Sequence, residues 1–331
     1  MTDLPASMRA VMVRELSPDL SGCALEMVPV PVPGEGEVLV QVRATGLGFP
    51  DLLMTRGEYQ FKPPLPFTSG MECSGTVVAV GPGVDETLIG RDIASGARFG
   101  CMADYVALPA EHLRAKPARL DWAEAASYRS GYLTAYVALV RRAQLQPGEW
   151  VLVHGAAGGV GLACVDLAKA LGARVVATAS TPEKRQAIAD LYAPDAVIDS
   201  APGFYQQVRD ITGGGADVIF DPVGGDVFDE SVRCIAFDGR LLVIGFTSGR
   251  IATLPSNMAM IKGFSLMGVR AGEYGRRFPE RGLENQTAVD NMAANGTIHP
   301  HAPTRLPLSN WTEAFQMMQE RKVVGRAVLL P

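Results

Sequence analysis

Apolar and polar positions change their rhythm along the chain. Over residues 8–119 the rhythm is two, in short runs: 8–13, 24–28, 37–47 (EVLVQVRATGL), 76–80 and 104–108 each predict a strand. The run Pro29 to Gly34 (PVPVPG) is a rigid, irregular connection, and Gly81-Pro82-Gly83 closes the fourth strand. Strands with no helical pattern between them imply an antiparallel, barrel-like sheet.

The rhythm then lengthens. Asp121 is placed to cap a helix over 122–128, and 131–143 is apolar on most sides, as a buried helix is. From Trp150 to about Arg270 the two periods alternate. Strands are predicted at 150–154, 174–179, 196–199, 218–221, 240–245 and 264–270. Helices fall between them, ending at Leu171 with Gly172 as cap, then opening at Thr181-Pro182, and at 204–211 and 226–236. That alternation predicts a parallel sheet with helices on both faces. Beyond it, 273–285 is polar and rich in arginine, and 287–294 is helical. Ser309 is placed to cap a last helix with Trp311, Ala314, Phe315 and Met318 on one face, before a strand at 323–330. The division expected is a β domain over 1–130, an α/β domain over 131–270, and a return to the first domain over 271–331.

The first alternating unit carries the candidate chemistry. Strand 150–154 runs into Gly155-Ala156-Ala157-Gly158-Gly159-Val160-Gly161 and then a helix. Glycines let a ligand approach bare backbone, and a helix N-terminus offers N–H groups and partial positive charge to a pyrophosphate. With a strand before and a second strand following at the right distance, this is a dinucleotide turn. An NAD site places an acid ~20 residues beyond the turn, for the ribose 2′-OH. Here the second strand ends Ala177-Thr178-Ala179-Ser180-Thr181, and Lys184 and Arg185 follow. A hydroxyl and a cation suit a 2′-phosphate, so NADPH is expected, with Ser180 and Lys184 as contacts. The competing reading of Lys184 and Arg185 is a solvated helix face.

Composition narrows the class. Hydrophobic content of 47% and charged content of 20% describe a globular protein with a large core. The 36 glycines and 23 prolines are dispersed, so they mark turns rather than disorder. A net charge of −5 leaves no basic footprint for nucleic acid. The 5 cysteines are scattered, which argues against a disulfide framework and for a reducing compartment. The longest apolar run, 162–179, contains Asp166, Lys169 and Arg174, and the first residues have no apolar core of the signal-peptide kind. A soluble, cytoplasmic protein is expected, with no membrane partner.

Four segments jointly resemble the zinc-free NADPH:quinone oxidoreductase family of the medium-chain dehydrogenase/reductase superfamily. They are Asp51 to Tyr59 with Pro63-Pro64-Leu65-Pro66, Gly131-Tyr132-Leu133-Thr134-Ala135, the Ala156 to Gly161 turn, and Asp221-Pro222-Val223-Gly224-Gly225 followed by Ile244-Gly245-Phe246. The resemblance implies a GroES-like β-barrel catalytic domain and a Rossmann-type, doubly wound cofactor domain. Zinc members carry a metal histidine in a Gly-His-Glu motif; this chain has Gly70-Met71-Glu72. Methionine is a poor zinc ligand. Segments 46–51 and 128–131, where further ligands belong, have no cysteine, so no metal is expected. One departure is Gly48, where the family usually has an asparagine facing the nicotinamide.

Without a Lewis acid, hydride transfer to a quinone or enone is favoured, because the acceptor delocalises the developing charge itself. Tyr59 is the best candidate for a polar catalytic group, since its phenol can donate to an enolate or quinol oxygen. The resemblance to enoyl reductases of the superfamily implies a proton donor here, with packing under the proline loop as the competing role. Thr134 resembles the family threonine near the nicotinamide; a bond to its own helix backbone is the alternative. Gly245, Phe246 and Thr247 end the fifth strand at the ligand-binding edge. The resemblance also implies a place for Arg326 near the cofactor, with a surface arginine as the competing reading. An enoyl-thioester or enone C=C reductase and a non-catalytic, crystallin-like NADPH-binding protein are the alternatives. The apolar last strand, 264–270, suggests a homodimer paired across a two-fold axis.

Overall fold

The alternating runs at the start of the chain do become strands. The computed structural model describes residues 4–331. It divides into two units: residues up to Tyr128 with Pro300–Pro331, and Arg129–His299. In the first, β1 (Ser7–Val13) pairs antiparallel with β2 (Cys23–Pro29). β3 (Glu37–Gly46) leads into α1 (Phe49–Thr55), a short helix that the hydrophobic pattern did not disclose. Pro50 stands in its first turn, and the Asp51 carboxylate accepts the Gly48 N–H at 2.7 Å. β4 (Phe67–Thr68) returns to β1.

β5 (Glu72–Val80) starts four residues before the expected strand and lies antiparallel to β3. β6 (Asp92–Gly96) pairs with β5, and β7 (Tyr105–Pro109) with β3. The alternation buries Val38, Val40 and Val42 of β3 against Cys73, Val77, Ile93, Val106 and Leu108. α2 (Trp122–Ser127) starts where Asp121 predicted. Its carboxylate accepts the Glu124 N–H at 2.9 Å, and Glu124 accepts the Asp121 N–H at 3.0 Å.

The second unit opens with α3 (Arg129–Tyr136), which loosens into a π-helical stretch, Val137–Arg142, rather than continuing as one regular helix. There follow β8 (Trp150–Val153), α4 (Gly159–Ala170), β9 (Arg174–Ala179), α5 (Pro182–Tyr192), β10 (Ala196–Asp199) and α6 (Phe204–Thr212). Next come β11 (Ala216–Asp221), α7 (Gly225–Cys234), β12 (Ile235–Val243), α8 (Ser256–Lys262) and β13 (Ser265–Gly268). The six strands form one parallel sheet in the order β10-β9-β8-β11-β12-β13, the Rossmann-type arrangement. β12 begins earlier than expected because residues between its paired positions bulge out, with Asp238 at φ 62°.

One boundary needs correcting. Residues 271–299 belong with the second unit, not with the return to the first. The polar, arginine-bearing segment is helical: α9 (Ala271–Arg277) and α10 (Pro279–Asn295). Arg276 and Arg277 pair with Glu273 within α9, while α10 uses polar side chains on α3 and its π-helical extension, where Arg129 meets Asp290 at 3.0 Å and Arg141 donates to Asn285 at 2.7 Å. The return begins at Pro300. β14 (Thr304–Pro307) lies parallel to β15 (Ala327–Leu330), which pairs antiparallel with β3. Between them α11 (Trp311–Gln319) buries Trp311, Ala314 and Phe315 against Leu47, Leu52 and Leu329. Asn310, not Ser309, takes its N-cap position. Among the described residues, no helix is long and apolar enough to cross a membrane.

Candidate cofactor site

The glycine turn is held from both sides. Beyond the wholly buried β8, the His154 N–H donates to Phe220 of β11, and the Ala156 N–H donates to Thr178 of β9, each at 3.0 Å. Gly155 sits at φ 55°. A Cβ on Gly161 would stand 2.3 Å from the Gly155 carbonyl oxygen, so only glycine allows α4 to start this close. Gly158 is the N-cap and brings no side chain to the first N–H groups of α4. Ala156, Ala157, Gly158, Gly159, Val160 and Gly161 therefore form a backbone cradle at the positive end of a 12-residue helix. That cradle fits a pyrophosphate.

A second turn faces the same sheet edge. Asp221 ends β11, and its Oδ1 accepts the N–H groups of Val223 (2.8 Å) and Gly224 (2.9 Å). Burial raises its pKa in spite of these bonds. The turn carries Gly224 and Gly225 at φ 70° and 59°. The loop after β12 is zipped onto it: the Thr247 N–H and hydroxyl both donate to the Pro222 carbonyl at 3.1 Å, and the Ser248 N–H donates to Val223 at 2.9 Å. Gly245, Phe246 and Thr247 thus lie at the carboxyl edge of the sheet, as expected, with Phe246 46% exposed.

Ser180 is exposed at the carboxyl end of β9, and Lys184 lies in the first turn of α5, where its N–H donates to the Thr181 hydroxyl at 3.3 Å. Arg185 is not on a solvated face. Its Nη1 donates to the Ala179 carbonyl (3.1 Å) and to Asp199 (2.8 Å). Asp199 is the register partner of Ala179. An acid does stand beside the end of β9, but on β10, and it is matched by Arg185. Reading β9 alone could not find it.

His154 lies beneath the turn and is wholly buried. Its Nδ1 meets the Thr178 hydroxyl at 3.1 Å, its Nε2 meets the Ser231 hydroxyl at 2.8 Å, and Phe204 packs edge-on at 5.0 Å. Burial pulls its pKa down to about 3, so the ring is neutral at physiological pH. Elsewhere in the second unit, the Thr134 hydroxyl donates to the Ser130 carbonyl at 2.8 Å, the helix-backbone bond weighed against a catalytic role.

In the first unit Tyr59 is half-buried among Phe61, Met71 and Phe99, packed on Val13, Met54 and Phe67. Arg326 was expected at the cofactor; within its own unit its Nη2 pairs with Glu72 at 2.5 Å. A Cβ at Gly48 would stand 3.3 Å from that nitrogen and 3.4 Å from the Asp51 carboxylate. The guanidinium therefore lies against the place of the missing asparagine side chain. Asp51 is buried, and desolvation pushes its pKa up to about 7. Among the described residues, no group of three or more His, Cys, Asp or Glu side chains is placed to hold a metal ion.

The two units match known family models in order. The alcohol dehydrogenase GroES-like domain matches residues 34–118, and the zinc-binding dehydrogenase domain matches residues 159–299. The fold and the glycine cradle define an oxidoreductase, and the chain belongs to the medium-chain dehydrogenase/reductase superfamily. Within it the chain stands with the quinone oxidoreductase-like proteins. It is 37% identical to quinone oxidoreductase-like protein 2 of Mus musculus over 97% of this chain and 91% of that one. A probable oxidoreductase from Mycobacterium abscessus superposes with a TM-score of 0.88 at 35% identity, covering 99% of this chain and all (100%) of that one. The mycobacterial protein Rv1454c, solved in complex with NADPH, superposes at 0.87 with 31% identity, covering 98% and 100%.

Proposed function

We propose that this protein is an NADPH-dependent, zinc-independent reductase that transfers hydride to a quinone or a related conjugated carbonyl. The end of β9 carries the cofactor choice. It offers Ser180 and Lys184, while Asp199, the acid that strand pairing brings beside it, is paired with Arg185. NADPH, when bound, supplies the hydride from its nicotinamide. The 156–161 turn holds the pyrophosphate, through N–H groups other than those of Ala156 and Gly158, which are spent on the Thr178 and Gly155 carbonyls. Ser180 and Lys184 hold the 2′-phosphate, and Gly245, Phe246 and Thr247 the nicotinamide half. Having given its proton to Ser130, the Thr134 oxygen can only accept, which suits the carboxamide N–H. Arg326, oriented by Glu72, is the further cation assigned to the cofactor.

Zinc independence rests on the donor set: Met71 stands where zinc members carry a histidine, and 46–51 and 128–131 offer no thiol. The acceptor must then spread the developing charge itself. Tyr59 holds the proton that meets the enolate or quinol oxygen. The likeness to the mouse quinone oxidoreductase-like protein 2 and to the mycobacterial protein solved with NADPH supports the same reading. We assign a cytoplasmic location from the free thiols of all five cysteines. We assign a homodimer from the edge strand β13, with Leu266 on it and Met260 and Ile261 of α8 beside it, all exposed and apolar.

The test mixes purified protein with NADPH and a panel of 1,4-benzoquinone, phenanthrenequinone, an enone and an enoyl thioester. Loss of reduced nicotinamide absorbance with a quinone or the enone is expected. Tight NADPH binding with no turnover on any acceptor refutes the enzyme reading.

A further inference from the structure

The polar chain through His154 has a fixed direction. The Ser231 hydroxyl donates to the Val227 carbonyl at 2.7 Å, the i−4 bond of its own helix. Its proton is thereby used, so at 2.8 Å it accepts from His154 Nε2–H. Nδ1 is then the acceptor and receives the Thr178 hydroxyl proton at 3.1 Å. Thr178, His154 and Ser231 donate in one direction, and the Val227 carbonyl accepts at the end of the series. The series joins β9 to α7 beneath the glycine turn. Its two ends are the walls of the cofactor site. Thr178 also receives the Ala156 N–H through its carbonyl, and α7 grows out of the turn after Asp221, whose Pro222 and Val223 side chains lie beside Gly155.

We infer that His154 is a positioning residue for the dinucleotide: through Thr178 and Ser231 it sets the distance between the glycine turn and the turn before α7. This rests on the cofactor reading above. The imidazole is suited to the task because it is the one uncharged side chain that presents a donor and an acceptor on opposite sides of a rigid ring. The edge of Phe204 excludes water from it. A hydrophobe of similar size would leave the Thr178 donor and a Ser231 lone pair buried and unmatched, and α7 would be free to slide.

The experiment compares His154→Phe, His154→Gln and Ser231→Ala with the unaltered protein, measuring the NADPH dissociation constant and steady-state rates at saturating NADPH. Glutamine keeps an amide N–H near the Nε2 position. His154→Phe and Ser231→Ala are expected to weaken NADPH about tenfold, with kcat within about twofold and the affinity largely restored in His154→Gln. A His154→Phe protein with unaltered NADPH affinity overturns the inference. So does a glutamine variant as impaired as the phenylalanine one. Nitrogen NMR of the unaltered, labelled protein covers the case in which the variants fail to fold. His154 is expected as the Nε2–H tautomer from pH 5 to 8, with resonances that move on adding NADPH. The opposite tautomer, or resonances that saturating NADPH leaves unmoved, overturns it. If the unaltered protein binds no NADPH in either measurement, the cofactor reading itself has failed, which is a separate result.

Discussion

Replacing Gly161 with alanine tests whether the turn is a cradle or merely a bend. The added methyl would lie 2.3 Å from the Gly155 oxygen and 2.7 Å from the Ala156 Cα. Heavy atoms rest about 3.5 Å apart, so the turn must retreat by about 1 Å. A misplacement of about that size costs on the order of a hundredfold where groups must be aligned. We therefore expect the NADPH dissociation constant of Gly161→Ala to rise by about 30- to 100-fold, which is about 2–2.7 kcal/mol. Overpacking should lower the folding free energy by about 1–3 kcal/mol, read from urea denaturation without cofactor. Gly158→Ala is the comparison. Its Cβ would meet only the Gly155 oxygen, at 3.3 Å, and its backbone φ is −80°. That variant should fold within about 0.5 kcal/mol of the parent. Isothermal titration of NADPH into both variants gives the answer. A Gly161→Ala protein that binds NADPH as the parent does refutes the cradle.

Three further outcomes are expected. Ser180→Ala combined with Lys184→Ala should weaken NADPH by about 10- to 100-fold and NADH by less than about threefold; equal effects on the two refute the phosphate assignment. Tyr59→Phe should lower kcat on an enone by about a hundredfold and leave the NADPH dissociation constant alone, whereas an unchanged kcat assigns Tyr59 to packing. Asp51 gives a pH signature. Its pKa stands near 7 when folded against an ordinary value of 3.8, so the folded state holds the extra proton between those limits. Stability from this group is full below about pH 4 and is lost as pH rises through 7. Asp51→Asn should flatten that decline in a series of denaturant melts, and an unchanged slope contradicts the buried, proton-holding carboxyl.

What the sequence disclosed was what local physics determines. β8, the glycine turn and α4 follow from an apolar run, positive φ and a bare helix start, all within two dozen residues. The caps at Asp121 and Thr181 are equally local, and both side chains do accept the expected N–H groups. The misses have distant causes. α1 is only 7 residues long and is fixed by a proline and a cap rather than by a period. α10 reads as polar because the arginine partners of its acids sit on α3 and the stretch after it, 161 residues away in the Arg129–Asp290 pair. Its close approach to α9 runs through Gly275 and Gly282, which carry no hydrophobic signal. Asp199 reaches the end of β9 only through strand pairing. Arg326 meets Glu72 across 254 residues, a pairing that nothing near either residue in the chain announces.

The central claim is direct hydride delivery from NADPH without a metal. Protein treated with chelator and shown by elemental analysis to be zinc-free should be mixed with NADPH deuterated on the transferred face and an enone. The account predicts full activity and one deuterium on the β-carbon of the reduced product. Activity that disappears with the chelator and returns with zinc, or a product without deuterium at that carbon, would contradict it.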